Sequence, residues 1–72
     1  MKEIEFTSLV LPLRDRMFRY AHSLLLSSAE AEDAVHDLLE RLWAERTRLD
    51  ECRSVDSFVM TAVRNRCYDL LR

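Results

Sequence analysis

The sequence contains no glycine, and this absence excludes several classes of functional site. The chain has 72 residues, with one proline and two cysteines. Glycine-rich phosphate loops and dinucleotide fingerprints need backbone positions that only glycine tolerates. A β-sandwich or barrel needs many turn residues, and this composition does not supply them. We therefore exclude nucleotide-binding loops of these types and expect little or no β-structure.

The chain is also too short for more than one domain. A domain of this size buries only about 60% of the surface that its unfolded chain exposes, so the core is small. Hydrophobic residues make up 49% of the sequence and charged residues 33%. Leu, Ala, Glu and Arg, which favour helices, are abundant. The composition therefore predicts a single compact all-α domain without a sheet.

No segment has the features of a targeting signal or a membrane span. Residues 1–5 are acidic where a secretory signal would be basic and then apolar, and the apolar runs are too short to cross a bilayer. Cys52 and Cys67 form no CxxC pair. A zinc site built from them with His22 and His36 is conceivable, but the spacing matches no usual ligand pattern. We expect a cytoplasmic protein with two free thiols, no metal, no cofactor and no membrane contact.

Acidic and basic residues are unevenly distributed. The formal net charge is −2, from 11 basic and 13 acidic residues, so general attraction to duplex DNA is not expected. Residues 30–40 contain five acids and neither Lys nor Arg. Such an acidic helix face fits a basic protein surface better than a phosphate backbone. Upstream, Arg14, Arg16 and Arg19 contact a protein partner or the phosphates of a nucleic-acid strand, or they form a solvated face, and the solvated interpretation is favoured.

Hydrophobic periodicity predicts three helices, at about residues 7–26, 28–48 and 54–72. In each segment, apolar residues recur at steps of three and four. Short connections between them predict antiparallel packing in a small helical bundle. The last apolar stripe includes Leu70 and Leu71 and is still in phase at the end of the chain, as expected for a domain taken from a longer protein.

Residues at the predicted helix ends have recognisable roles. Ser27, followed three residues later by Glu30, has the form of a capping box for the second helix. Ser54 is the predicted N-cap of the third helix. Pro12 is tolerated in the first turn of a helix, or it kinks the first helix. Residues 49–53 show no periodicity and are predicted to form a loop.

Two segments resemble motifs of bacterial sigma factors. Residues 31–43, AEDAVHDLLERLW, are similar to the Ala-Glu-Asp-Leu-Val-Gln-Glu-x-Phe-x-x-Leu-Trp signature of region 2 in extracytoplasmic-function (ECF) sigma factors of the sigma-70 family. Residues 58–72 resemble the pattern that follows, Trp/Tyr-Leu-x-x-Ile/Val-x-Arg-Asn-x-x-x-Asp-x-x-Arg. Residues 6–21 fit the first helix of that family. The two motifs, in order, make the resemblance specific over nearly the whole chain.

The resemblance implies a transcription initiation domain without enzymatic activity. In that family, region 2 docks on the clamp helices of the largest RNA polymerase subunit, and it recognises and melts the −10 promoter element. A second domain that binds the −35 element normally follows, and we expect it to be absent from this chain. The resemblance also allows an anti-sigma factor as a partner.

The second predicted helix carries the expected polymerase-docking residues. Asp33, His36, Asp37 and Glu40 are spaced i, i+3, i+4 and i+7, so they share one face. The family motif has Asp, Gln and Glu or Asp at the first three positions, so His36 departs from it. The resemblance implies that the acids pair with arginines of the clamp helices. Without it, the same face would be interpreted as a solvated one. Trp43 is expected to pack at the edge of the core.

The third predicted helix carries the expected promoter-binding residues. Melting requires flat groups that stack on unpaired bases and cations that hold the freed strand. Phe58 and Met60 stand where the family often has aromatic residues with greater stacking capacity. Asp69 matches a family acid and is expected to pair with a nearby arginine such as Arg66. The expected DNA-binding residues are Thr61, Arg64, Asn65, Tyr68 and Arg72.

Residues 49–56 stand where the family forms a pocket for a flipped −10 base, so we expect this segment to influence promoter preference. Two other function classes were weighed. A generic helical interaction or dimerisation module with an acidic face is the alternative. An enzyme is disfavoured, because no nucleophile–base pair, metal cluster or cofactor loop can be assembled. Binding to core RNA polymerase distinguishes the first two hypotheses.

Overall fold

Four α-helices form the fold, and the computed structural model describes all residues, 1–72. No β-strand is present, which confirms the predicted all-α class. Two short 3₁₀ segments connect the helices. The helices are α1 (Glu3–Leu9), α2 (Arg14–Leu25), α3 (Ser28–Ala44) and α4 (Val55–Leu71), with 3₁₀ segments at Leu11–Leu13 and Arg46–Glu51.

The single helix predicted over residues 7–26 is wrong, because two helices occupy this part of the chain. α1 ends at Leu9, and the 3₁₀ segment Leu11–Leu13 turns the chain into α2. Pro12 explains the division. It has no N–H to donate and clashes with a preceding helical turn, so it is accommodated in the first turn of the 3₁₀ segment and not inside a continuous helix.

The second predicted helix is too long at its C-terminal end. α3 ends at Ala44 and not near Arg48, and the 3₁₀ segment replaces much of the loop predicted over residues 49–53. Leu49 is only 2% exposed. Its burial holds this segment against the core. Because Leu49 is a single apolar residue outside any periodic pattern, the sequence did not predict this contact.

Both predicted serine N-caps are confirmed, although the reciprocal Glu30 side-chain bond of a full capping box is not observed at Ser27. The hydroxyl of Ser27 accepts a hydrogen bond from the N–H of Glu30 at 3.3 Å. The hydroxyl of Ser54 accepts one from the N–H of Ser57 at 3.2 Å. Each bond satisfies a backbone donor that has no partner within its helix. The starts of α3 and α4 are therefore fixed by local sequence.

α2 and α4 run parallel to each other, and α3 runs antiparallel to both. Arg16, near the start of α2, lies beside Asp56, near the start of α4. Leu25, at the end of α2, lines a groove with Leu70 and Leu71 at the end of α4. The core fills the space between these helices and extends to α1. Its buried residues are Phe6, Val10, Met17, Ala21, Leu25, Ala31, Ala34, Val35, Leu38, Leu42, Leu49, Val59, Val63 and Cys67.

The end of the α4 apolar stripe is not buried as predicted. Leu70 and Leu71 are 49% and 58% exposed, although both belong to the predicted buried stripe. α2 ends at Leu25 and α3 begins at Ser28, so the bundle offers little chain to cover the last turn of α4. Phe58, at the other end of the stripe, is partly buried against the core. None of the helices is long and apolar enough to cross a membrane.

Candidate functional site

The predicted docking residues lie together on the outward face of α3. Asp33, His36, Asp37 and Glu40 are all exposed, and the core residues of α3 lie on the opposite side, as the helical spacing predicts. The Nε2 atom of His36 is 3.0 Å from Oε1 of Glu40. This contact crosses one helical turn and orients two side chains of the face. The four residues therefore form one continuous, mainly acidic surface, called here the acidic face.

Arg66 of α4 reaches the edge of the acidic face. One of its terminal guanidinium nitrogens lies 3.7 Å from Oδ2 of Asp37, which links α4 to α3. The Arg66 side chain is 30% exposed, and its Nε atom is buried without a hydrogen-bond partner. The expected pairing of Asp69 with Arg66 is not observed, because Asp69 lies 4.0 Å from Arg72, three residues later on the same helix.

The predicted DNA-binding residues share the solvent-facing side of α4, called here the α4 face. All five are exposed, and Tyr68 is the exposed aromatic residue of this helix. Phe58 and Met60 are partly buried against the core, so each offers less surface for base stacking than the exposed Tyr68. The members of the face are Thr61, Arg64, Asn65, Tyr68 and Arg72.

Trp43 packs at the edge of the core, and its main aromatic partner is on α1. The ring centroids of Trp43 and Phe6 are 5.1 Å apart in an edge-to-face arrangement, and the Arg46 guanidinium lies 4.0 Å from the centroid of the Trp43 ring. The Met1 ammonium group also pairs with Asp50 at 2.6 Å. These contacts place Trp43 in a packing role and attach α1 to the segment between α3 and α4.

The remaining reactive groups do not form a catalytic or metal-binding constellation. Both cysteines are free, and no group of three or more His, Cys, Asp or Glu side chains is arranged to hold a metal ion. Burial raises the pKa of the Cys67 thiol, while the nearby positive charge of Arg66 lowers it by a smaller amount. The candidate site is formed by two exposed surfaces, the acidic face on α3 and the arginine-containing α4 face.

The family model for sigma-70 region 2 matches residues 9–72. The chain belongs to this family. Searches of curated proteins and of solved structures find no match. Membership gives the domain a role in transcription initiation, in which region 2 interacts with RNA polymerase and promoter DNA. The matched residues contain both the acidic face and the α4 face, whereas most of α1 lies outside them.

Two contacts between helices were not predicted from the sequence of this sigma-70 region 2 domain. Arg66 contacts Asp37, and Arg16 contacts Asp56. Helical spacing predicts which residues share a face of one helix, but these pairs lie on different helices and are far apart in the sequence. Only the packing of α4 against α2 and α3 brings them together, so no local signal indicates them.

Proposed function

We propose that this chain is region 2 of a bacterial ECF sigma factor, acting in the cytoplasm without chemistry of its own. The acidic face docks on the clamp helices of the largest RNA polymerase subunit. The α4 face holds the unpaired −10 strand during promoter recognition and melting. An anti-sigma factor is proposed as a competing partner for the same domain. The observation that carries the proposal is the exposed acidic face, in the register of the family motif.

The electrostatics of the acidic face support a basic protein partner. Asp33 is exposed and forms no ion pair within the domain. Asp37 lies near Arg66 and Glu40 near His36, but both carboxylates remain more than half exposed. Exposed ion pairs of this kind contribute little to stability, so they leave the carboxylates available to a partner. Arginines on a facing helix would form charge-assisted, bidentate hydrogen bonds with them.

The side chains of the α4 face support binding of a single strand. Arg64 can hold a phosphate, the Asn65 amide can read a base edge, and the exposed ring of Tyr68 can stack on a base. Stacking on an aromatic ring contributes about 1–3 kcal/mol per base. With Phe58 and Met60 partly buried, Tyr68 is the proposed stacking residue of this helix.

The docking proposal is tested by reversing one charge on the acidic face. Asp33→Arg removes an unpaired carboxylate without breaking an internal ion pair, so the fold should persist. We expect binding to a clamp-helix fragment of the largest polymerase subunit to weaken by at least about 30-fold. Glu3→Arg changes the charge equally on α1 and is the matched control. Binding is measured by titration calorimetry, and folding of each variant by circular dichroism.

Asp37→Asn gives a second, milder test, because it removes one charge but keeps the shape of the side chain. It should weaken docking by less than Asp33→Arg does. If the folded wild-type chain fails to bind the clamp-helix fragment, the docking proposal is wrong, and the generic helical interaction module becomes the better hypothesis. Equal binding by wild type and Asp33→Arg would show that the domain docks through another surface.

A further inference from the structure

The seam between α2 and α4 carries an arginine-rich surface, and of its arginines only Arg64 belongs to the family motifs. Arg16 of α2 lies 3.8 Å from Asp56 of α4, and both side chains are more than half exposed. This contact shows how the two parallel helices are aligned. It places the start of α2 level with the start of α4, on the outside of the bundle.

Helical spacing extends this surface along both helices. On α2, Arg19 follows Arg16 by three residues and is exposed, so the two guanidinium groups project from adjacent positions. On α4, Asp56, Met60 and Arg64 follow each other at four-residue steps, which places them along the flank that faces α2. The α2–α4 seam therefore presents Arg16 and Arg64 with the acid Asp56, and Arg19 borders it on the outer side of α2, one turn after Asp15.

The spacing of these arginines suits a strand that crosses both helices. Arg64 is eight residues beyond Asp56, which corresponds to about 12 Å along the helix. Because Arg16 is level with Asp56, Arg16 and Arg64 are separated by a similar distance along the bundle. That length corresponds to about three stacked nucleotides at ~3.4 Å each. The seam also continues directly into the α4 face, where Arg64 is a member of both surfaces.

We propose that Arg16 and Arg19 bind phosphates of the single strand whose bases are held by the α4 face. This inference rests on the proposed function and adds α2 to the DNA-binding surface. Guanidinium groups bind phosphate bidentately, and Arg19 and Arg64 form no ion pair that would compete. Asp56 orients Arg16 but repels phosphate, so its charge limits the affinity of the seam.

Arg14 provides an internal comparison, because it lies on the other flank of α2. It lines a groove between α2 and α3 together with the acids Asp15, Glu32 and Asp33. Its positive charge is therefore surrounded by acids, and a phosphate would be repelled there. Of the three arginines of α2, only Arg16 and Arg19 are placed to bind a strand on the α4 side.

The test measures binding of a fluorescein-labelled oligo(dT) of about 12 nucleotides to the chain bound to core polymerase, with core polymerase alone as baseline. Each phosphate contact to a single strand contributes about 0.7 to the slope of log K against log salt. We therefore expect Arg16→Gln combined with Arg19→Gln to weaken binding about 25-fold at ~0.1 M salt and to reduce the slope by about 1.4. Arg19→Gln alone should weaken it about fivefold.

Two controls separate the local contact from general charge effects. Arg14→Gln removes the same charge as Arg19→Gln but should change affinity and slope little. Asp56→Asn should strengthen binding, since it removes the one acid of the seam. Polymerase docking, measured with the clamp-helix fragment, should be unchanged in all of these variants.

The outcomes distinguish this inference from the proposed function. If the wild-type complex binds oligo(dT) no better than core polymerase, the proposed DNA-binding function itself fails. If wild type binds but the double variant retains its affinity and salt slope, the inference about α2 is wrong while the proposed function stands. If the double variant loses binding to the clamp-helix fragment, the arginines contact polymerase instead of the strand, and the inference is again overturned.

Discussion

Cys52 and Cys67 have the same chemistry but different surroundings. Cys67 is fully buried, and burial raises the pKa of its thiol, so little of the reactive thiolate is present at neutral pH. Cys52 lies between the second 3₁₀ segment and α4 and is partly exposed. We predict that iodoacetamide alkylates Cys52 much faster than Cys67 in the folded protein, and both at similar rates in denaturant, as measured by mass spectrometry.

The raised pKa of Cys67 also gives a pH dependence with a defined sign. The folded thiol holds its proton to a higher pH than the unfolded thiol. Its contribution to stability is fully present below the pKa of the unfolded thiol and is lost as pH rises through the higher folded value. Cys67→Ala should remove this alkaline component. Alkylation of Cys67 as fast as Cys52 at neutral pH would contradict the expected protection.

The sequence predicted correctly which candidate residues share an exposed face, because that placement depends on one helix. Asp33, His36, Asp37 and Glu40 share a face because α3 is a regular helix, and the same argument places the five residues of the α4 face. Helical spacing did not predict the contacts Arg66–Asp37 and Arg16–Asp56. Their geometry depends on how α2, α3 and α4 pack, and periodicity contains no information on that packing.

The corner between α2 and α3 shows how a helix ends in a chain without glycine. Leu26 follows α2 in the left-handed region, with φ 58°, and its N–H bonds to the carbonyl of His22 at 2.8 Å. Glycine is the usual residue at this position, because a Cβ atom is strained there. Leu26 is 81% exposed, so its side chain contributes little packing in return.

Leu26→Gly should therefore stabilise the domain. Relief of the left-handed strain, less the entropic cost of glycine in the unfolded chain, predicts a gain of about 0.5–1 kcal/mol in the free energy of unfolding. That gain corresponds to a rise of several degrees in Tm for a domain of this size. Leu26→Ala is the control, since alanine keeps Cβ and should give no such rise. Thermal unfolding followed by circular dichroism decides between them, and a lower Tm for Leu26→Gly would mean that the exposed leucine has a packing role.

The starts of α3 and α4 were predicted more accurately than the helix ends, because residues next to each start mark it in the sequence. Ser27 and Ser54 supply side-chain acceptors that fix the first turns of α3 and α4. The ends have no such marker in a sequence without glycine. The break before α2 depends on Pro12, although the periodicity was also compatible with Pro12 in the first turn of one longer helix. The end of α3 depends on the burial of Leu49.

Across the whole domain, the small net charge of −2 conceals a separation of charge. The acidic face occupies the outward side of α3, while the exposed arginines Arg16, Arg19, Arg64 and Arg72 lie on α2 and α4. α3 packs against both helices with its opposite side. This separation supports the proposal that a basic protein binds on α3 while a nucleic acid binds on α4. The sequence pointed to the basic residues of α2 and α4 separately, but not to the packing that brings Arg16 of α2 beside α4.

If the two surfaces act independently, the segment before α4 can be changed without affecting docking. An exchange should be limited to residues 50–53, because Leu49 belongs to the core and Ser54 caps α4. We expect replacement of these four residues by those of another region 2 domain to alter which −10 sequence is bound. The segment immediately precedes α4, the helix that carries the α4 face and one side of the seam. Affinity for the clamp-helix fragment should be unchanged.

Asp50→Asn alone is the control for loss of the contact between Asp50 and the Met1 ammonium group. Competition binding with a set of −10 oligonucleotides measures preference, and loss of docking by a folded exchange variant would mean that the segment supports α3 and does not select the promoter.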